Sequence, residues 1–156
     1  MTERITAKTL EEFEAFNQSH PKGNFAQSSY WAKQKPMWHW EAVACRGEDG
    51  KIKGTLSMLI RKAVSALPYS IMYCCRGPVC DLDDHETIRE LVEAAKELAR
   101  EHHCYVIKID PDVPSSNTEF SDYLHALGFK SKEGGAAFEA LQPRYVFRLN
   151  LVDRKS

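Results

Sequence analysis

Two lysines set among aromatic residues form the first group in the sequence that could do chemistry. Lys33 and Lys35 are separated by one residue and are flanked by Tyr30, Trp31, Trp38 and Trp40. A cation beside aromatic faces can hold a phosphate while a base stacks nearby. Lysines at a helix end also serve the helix dipole and solvent, so this spacing alone leaves both interpretations open.

An aspartate and an arginine at chain turns form the second group. Asp110 ends a β-rich run and precedes Pro111, which is where ligands meet the carboxyl ends of strands in α/β folds. Asp before Pro also commonly begins a turn with no further role. Arg76 precedes Gly77-Pro78 and is a cation on a sharp turn, which can contact an anion or simply face solvent.

Several familiar catalytic patterns are missing from the sequence. It contains no GxSxG elbow, P-loop, GxGxxG turn or HExxH helix. His102-His103 could bind a metal, but adjacent residues point to different faces, which favours a solvated helix end. We therefore expect neither a metal site nor a cofactor.

The cysteines indicate a reducing environment. Their number is odd and they contain no CxxC pair: Cys45, Cys74, Cys75, Cys80 and Cys104. A metal or redox role for the group around Cys75 is the less favoured interpretation. We expect reduced thiols that alternate between core and surface positions on a strand.

Length and charge restrict the function classes. A chain of 156 residues suits one compact domain, and 21 basic against 22 acidic residues give no overall field toward nucleic acid or an anionic membrane. Any anion site must therefore be local. No apolar stretch approaches the roughly 20 residues that cross a bilayer, and the first residues lack a signal-peptide core, so we expect a cytoplasmic protein.

The first part of the chain predicts two helices. Thr9 and Glu12 have the spacing of a capping box, and the apolar residues behind them recur at helical spacing to about Asn17. A second, shorter helix is predicted to begin with one of the pair Ser28-Ser29 as its cap and to stop at Pro36. Lys33 and Lys35 would lie in this second helix.

Three strands are predicted next. Trp40–Cys45 and Ile52–Ile60 alternate in polarity around Gly47-Glu48-Asp49-Gly50, which indicates a hairpin. A third strand runs over Ser70–Cys75 and is broken by Gly77-Pro78, because this pair forces a turn and removes a ladder donor. The sheet is therefore predicted to have a loop at this point.

The remaining elements alternate between helix and strand. Apolar residues recur at three and four from Asp84 to His102, which predicts an amphipathic helix. Tyr105–Ile109 is a predicted strand, Phe120–Leu127 a helix stopped by Gly128, and Tyr145–Leu151 a last strand. These elements predict an α/β (α+β) fold with a mixed central sheet covered by helices on both faces.

Five ordered blocks of this sequence together resemble one known family. The blocks are Asn24–Lys35, Trp40–Val43, Arg76–Asp81, Tyr105–Asp112 and Gln142–Leu149. In order and spacing they are similar to the FemABX peptidoglycan interpeptide-bridge aminoacyltransferases, over nearly the whole chain. The resemblance implies a GNAT-like acyltransferase fold that occurs twice in tandem, of which residues 1–156 match the first copy as a single domain and lack the second.

The resemblance also implies roles for particular residues. Lys35 matches the lysine that meets the phosphates of the muramyl-pentapeptide precursor, and Asp110 matches the aspartate that contacts its stem peptide. Four further residues fall in or beside the matching blocks without a definite role: Lys33, Trp38, Tyr73 and Arg76. Because amide formation from an ester needs positioning and charge stabilisation more than a protein nucleophile, the missing catalytic patterns are expected.

The implied partners are aminoacyl-tRNA as donor and a lipid II or UDP-linked muramyl pentapeptide as acceptor. A lipid-linked acceptor would bring the protein to the inner face of the plasma membrane. We do not expect this chain to catalyse the transfer alone, since the second half is absent. Two alternatives remain: an N-acyltransferase that uses acyl-coenzyme A, and a non-catalytic half that docks on another protein and self-associates through exposed apolar surface.

Overall fold

The computed structural model describes residues 1–131. Its elements are β1 (Thr2–Arg4), α1 (Leu10–Ser19), α2 (Ser29–Lys33), β2 (His39–Arg46), β3 (Ile52–Lys62), β4 (Ser70–Cys75), β5 (Val79–Cys80), α3 (His85–Glu101), β6 (Cys104–Asp110) and α4 (Thr118–Ala126), with a 3-10 turn over Phe25–Gln27. The predicted strand at Tyr145–Leu151 and the sequence block Gln142–Leu149 lie outside the described residues.

The sheet has the mixed direction that the sequence predicts. Its order is β1-β2-β3-β4-β6, and β5 pairs separately with β3. β4 and β6 are parallel, whereas the other pairs are antiparallel. The predicted hairpin is confirmed as β2 and β3, and its turn contains Gly50 at a φ of 76°, a backbone conformation that favours glycine.

Helices cover both faces of this sheet. On one face α3 and α4 bury residues such as Leu91 and Phe120 against Leu56 and Met58 of β3. On the other face Phe13 of α1 packs with alternate residues of β2. Because side chains alternate across a strand, β2 supplies odd-numbered residues to the first core and even-numbered residues to the second.

Helix α3 crosses between the two parallel strands. The amphipathic helix predicted at Asp84–His102 is confirmed, with Asp84 as its N-cap and His102 as its C-cap. A parallel pair of strands needs such a crossover, because the chain must return to the end of the sheet at which the first strand began before the second strand can start. Among residues 1–131 there is no helix with the length and hydropathy of a membrane span.

The predicted capping box at the start of α1 is wrong. Thr9 is the N-cap residue, but within the described residues its side chain makes no capping bond; its hydroxyl oxygen accepts the N–H of Thr6 at 2.9 Å instead. Glu12 is drawn to Arg46, whose two terminal nitrogens lie 2.8 and 2.7 Å from its carboxylate oxygens. A bidentate pair with a distant arginine outcompetes the local bond.

The structure also differs from the prediction in the burial of two cysteines, the end of α2 and the presence of β1. Cys74 and Cys75 are both buried, so the expected alternation between core and surface is wrong, because the sheet is covered on both faces. All five cysteines are free thiols, as predicted. Helix α2 ends at Lys33, which leaves Lys35 in the turn before Pro36. The short edge strand β1 had no counterpart in the sequence interpretation.

Candidate functional site

A break in the sheet forms the framework of the candidate site. β4 pairs with β3 only as far as Tyr73 opposite Leu59, and β5 resumes the pairing with β3 at Val79 opposite Thr55. Within residues 1–131, β3 has no strand neighbour on that side between these two points. Its backbone groups there must find other partners, because an unpaired buried peptide group is costly.

The carboxamide of Gln27 fills this break. It is fully buried; its oxygen accepts the N–H of Ser57 at 2.8 Å, and its nitrogen donates to the carbonyl oxygens of Cys75 at 2.6 Å and Ser57 at 3.3 Å. A side-chain amide has the same donor and acceptor as a peptide group. Gln27 therefore replaces the missing strand and fixes the position where β4 ends.

The turn after β4 has a constrained backbone. Arg76 adopts a φ of 57°, in the left-handed region that is uncommon for residues other than glycine. A Cβ added at Gly77 would lie 2.7 Å from Leu56 Cδ1 and 2.8 Å from Gln27 Nε2, so only glycine fits beside the break. The left-handed conformation of Arg76 sets the direction of its main-chain N–H.

That orientation directs the Arg76 N–H to Asp110. Asp110 ends β6 opposite Cys75 in the parallel register and is 9% exposed. Its Oδ1 accepts the N–H of Arg76 at 2.9 Å, and its Oδ2 accepts the hydroxyl of Tyr73 at 2.8 Å. The structure thus brings together three of the residues selected from the sequence, on two neighbouring strand ends.

Burial dominates the electrostatics of this group. It raises the pKa of Asp110 above the ordinary value for an aspartate, although the bonds from the Arg76 N–H and the Tyr73 hydroxyl act in the opposite direction. The pKa of Tyr73 is also raised, first by burial and then by its hydrogen-bonded neighbours, which include Asp110. Tyr73 therefore remains a hydrogen-bond donor to the carboxylate across the physiological range.

A cleft of about 500 Å³ lies beside Asp110. Strand β6 and helix α4 form its sides, and Tyr73 and Asp110 contribute to its wall together with apolar residues such as Val106, Phe120 and Leu124. A mostly apolar cleft with a few fixed polar groups is the usual form of a small-molecule site. Asp110 is the carboxylate through which such a ligand would be oriented.

The candidate cations lie over aromatic rings near α2. Lys35 Nζ is 4.7 Å from the centroid of Trp31, and Lys33 Nζ is 4.8 Å from that of Tyr30. The guanidinium of Arg61 lies 5.1 Å from the centroid of Trp38. The aromatic residues that flank the lysines in the sequence are therefore their neighbours in space, and Trp38 is additionally paired with an arginine that the sequence did not connect to it.

The thiol of Cys75, at the end of β4, is affected by burial and by nearby charges. Burial raises the pKa of this thiol, while the positive charges of Arg76 and Lys35 both lower it. Lys35 and Asp110 do not contribute to one cleft wall, since the residues that line the cleft come from β4, β6, α4 and the segments beside them.

Sequence reasoning missed two residues at this end of the sheet. Gln27 lies inside the block Asn24–Lys35, and its role depends on bonds to residues 30 and 48 positions away. Lys22 donates from Nζ to the carbonyl oxygen of Asp112 at 2.9 Å, which ties the turn after α1 to the segment after β6. A polar residue between two predicted helices was the sole sequence signal for Gln27, and such residues are common.

The start of α3 is unsuited to a pyrophosphate. The carboxylate of Asp84 accepts the N–H of Thr87 at 3.0 Å and its hydroxyl at 2.6 Å, so a protein anion already occupies the helix terminus. Asp81 and Asp83 precede it and add like charge. An anionic ligand at this terminus would have to displace Asp84 and overcome that charge.

Comparison with known proteins decides the family. The FemAB family model matches residues 8–155. The chain belongs to the FemAB family. Lipid II:glycine glycyltransferase of Staphylococcus aureus strain bovine RF122 / ET3-1 is 40% identical over 140 residues, which cover 87% of this chain and 33% of that protein. The protein of the same name from strain USA300 is 39% identical over the same length.

Solved structures agree with this membership. The crystal structure of FemX matches with a TM-score of 0.72 and 38% identity, and the match covers 82% of this chain and 32% of FemX. Aminoglycoside N-acetyltransferase AAC(6')-Iy in complex with CoA matches with a TM-score of 0.57 at 15% identity over 96% of this chain and 98% of that one, which shows the fold alone. The predicted GNAT-like fold is confirmed. The chain spans about a third of the length of the curated relatives it matches.

Proposed function

We propose that this FemAB family chain is the precursor-binding part of an aminoacyltransferase that builds the interpeptide bridge of peptidoglycan. Family membership supports this proposal, as does the name of relatives 39 to 40% identical, lipid II:glycine glycyltransferase. Within the chain, one observation carries it: a buried carboxylate, Asp110, is held by two donors at the wall of a cleft of about 500 Å³.

Asp110 is proposed to bind the stem peptide of the acceptor. A carboxylate offers about four lone-pair positions on its two oxygens, and the bonds from Tyr73 and Arg76 use one on each oxygen. The carboxylate can therefore accept an amine or amide N–H of a peptide while it keeps both protein donors. These donors fix its orientation before the ligand arrives, which reduces the entropy lost on binding.

Lys35 is proposed to hold the phosphates of the same precursor. Its ammonium lies at the face of Trp31, in the turn that follows α2. A charge-assisted bond from a lysine to a phosphate suits a diphosphate in either a lipid-linked or a nucleotide-linked acceptor. Lys33 and Trp38 would then be neighbours that shape the local charge and surface.

The proposed reaction forms an amide and breaks an ester. The neutral acceptor amine attacks the carbonyl carbon of aminoacyl-tRNA, a C–N bond forms, the ester C–O bond breaks, and the ribose hydroxyl leaves with a proton. The attacking nitrogen loses a proton to a carboxylate or to a substrate phosphate. Positioning and charge stabilisation supply most of the acceleration in such a step.

A complete enzyme is proposed to require a second GNAT-like half besides residues 1–156. The acceptor groove would be shaped by both halves, and a lipid-linked acceptor would bring the protein to the inner face of the plasma membrane. The alternative of a non-catalytic docking half predicts self-association of this chain, which sedimentation at rising concentration measures. The acyl-coenzyme A alternative has little support, because Asp84 already occupies the start of α3.

Titration with UDP-linked muramyl pentapeptide tests the proposal. We expect amide shifts centred on Lys35 and Asp110 in NMR spectra of the chain. Lys35→Ala should weaken binding by about 1.5 to 3 kcal/mol, which is the value of a hydrogen bond to a charged group. Lys8→Ala is the matched control, because this lysine is exposed on the turn before α1.

The control matters because not every surface lysine is neutral to the fold. Lys96, for example, donates to Glu93 at 2.8 Å and to the carbonyl oxygen of Leu127 at 3.0 Å, so its loss would disturb α3 and the end of α4. Equal affinity in Lys35→Ala and Lys8→Ala would contradict the assignment of Lys35. Shifts confined to the start of α3, produced by coenzyme A and not by the precursor, would favour the acyl-coenzyme A alternative.

A further inference from the structure

We infer that His39, Glu41 and His102 form a binding site for a divalent transition metal of the zinc class. His39 Nε2 lies 2.8 Å and His102 Nε2 3.2 Å from the same carboxylate oxygen, Glu41 Oε1. The ligand atoms of the three residues all lie within 4.8 Å of one another. Two imidazole nitrogens and one carboxylate oxygen that converge in this way match a zinc site with three protein ligands and one open position.

The fold brings these residues together from two elements. His39 and Glu41 are two positions apart on β2 and so lie on the same face, which is the face covered by α3. His102 is the C-cap of α3 and lies over the start of β2. The sequence predicted that His102-His103 is a solvated helix end. The imidazole of His102 is instead bonded to Glu41, and its ring centroid lies 5.1 Å from that of His39.

An arginine orients the carboxylate from behind. The guanidinium of Arg4 binds both oxygens of Glu41 and also donates to Glu101 at 3.1 Å. Metal-binding side chains usually have such partners, which fix the direction of the ligand atoms. Two carboxylates face a single guanidinium, so with neutral imidazoles the cluster carries one excess negative charge. A divalent cation would convert that excess into a single positive charge.

The types of side chain suit a transition metal. The carboxylate of Glu41 is buried, and the guanidinium of Arg4 is bonded to both of its oxygens. Imidazole favours zinc and nickel, whereas magnesium and calcium take oxygen ligands. The side chain of His39 is 58% exposed and that of Glu41 8%, which leaves the site open to solvent on one side.

The position of the site indicates a structural role. His102 lies just before β6 and Asp110 ends it, so the cluster is roughly 20 Å from Asp110 at about 3.3 Å per strand residue. A metal here would join the start of β2 to the end of α3. It would stabilise the described fold without contacting the cleft, and this inference is therefore independent of the proposed function.

Zinc titration of the 156-residue chain, without an affinity tag, tests the site. We expect one Zn²⁺ per chain by calorimetry, with the ring nitrogens of His39 and His102 shifted in long-range ¹H–¹⁵N spectra. His39→Ala should weaken binding at least about tenfold, since even the loss of an outer-shell partner has an effect of 10- to 100-fold. Because His39 is largely exposed, this variant is expected to fold.

Two other histidines provide controls. His103, the neighbour of His102, has a φ of 53°, a conformation that asparagine tolerates, so His103→Asn is the first control. His125→Ala is the second, and it removes an exposed ring bonded to Ser131. Both should bind zinc as the wild type does, and zinc should raise their Tm but not that of His39→Ala. Unchanged affinity in His39→Ala, shifts on cysteines without shifts on imidazoles, or no saturable binding would each overturn the inference.

Discussion

Replacement of Gln27 by leucine should be among the most disruptive single changes in the described chain. Leucine has a similar volume and keeps the site filled, but it can neither accept the N–H of Ser57 nor donate to the carbonyl oxygen of Cys75. Both backbone groups are buried at the break between β4 and β5. The substitution therefore removes the side-chain hydrogen bonds that Gln27 makes to these two peptide groups.

The expected loss of stability can be estimated from those two groups. A buried donor or acceptor left unsatisfied costs about 1 to 3 kcal/mol, so two of them give about 2 to 6 kcal/mol. The longer contact from Gln27 to the carbonyl oxygen of Ser57, at 3.3 Å, adds little. A loss of this size is a large part of the roughly 5 to 15 kcal/mol that stabilises a typical domain.

Urea unfolding of Gln27→Leu and of Gln18→Leu measures this effect. Gln18 lies exposed on α1, so its replacement should change the free energy of unfolding by less than about 0.5 kcal/mol. If Gln27→Leu does not fold, Gln27→Asn, which shortens the side chain by one methylene, gives a smaller loss together with faster hydrogen exchange at the Ser57 amide. A change below about 1 kcal/mol in Gln27→Leu would refute the bridging role.

Three further predictions concern single side chains. Tyr73→Phe removes a bond that lowers the pKa of Asp110, so this pKa should rise further in ¹³C carboxyl titrations; an unchanged value would contradict the contact. Asp84→Ala should destabilise the chain by about 0.5 to 2 kcal/mol in urea unfolding through loss of the α3 cap, and the neighbouring Asp83→Ala far less. The pKa of Glu41 falls from 4.5 to about 2 on folding, so its contribution to the free energy of unfolding is complete above pH 4.5 and is lost as the pH falls toward 2. Glu41→Gln should therefore make the free energy of unfolding less dependent on pH in that window.

The elements with strong local signals were predictable from the sequence. β4 has the predicted bounds Ser70–Cys75, and α3 differs from the prediction by one residue at each end. Both signals are local in the sequence: a Gly-Pro turn follows β4, and apolar residues recur at helical spacing along α3. The cap of α1 was not predictable in the same way. Its outcome depends on Arg46, which lies 34 positions from Glu12 and offers a stronger partner than a backbone N–H.

The candidate site was predictable only in part. The end of a strand before a proline selected Asp110. The family resemblance supported Asp110, selected Lys35, and placed Tyr73 and Arg76 in or beside the matching blocks. The bond from Arg76 to Asp110, however, comes from a main-chain N–H, whose direction is set by a φ of 57°. Neither a backbone angle nor a pairing across 34 positions leaves a pattern in the residue types.

The break in pairing along β3 explains the role of Gln27 and the conformation of Arg76, which the sequence did not predict. Because β3 is shared by β4 and β5 in succession, the chain must leave the sheet after Cys75 and return at Val79. That departure creates the gap filled by Gln27 and the turn in which Arg76 takes its left-handed conformation. The same turn delivers the N–H that holds Asp110 at the cleft. A regular strand through this gap would therefore leave no place for Gln27 and would take the Arg76 N–H away from the carboxylate proposed to bind the acceptor.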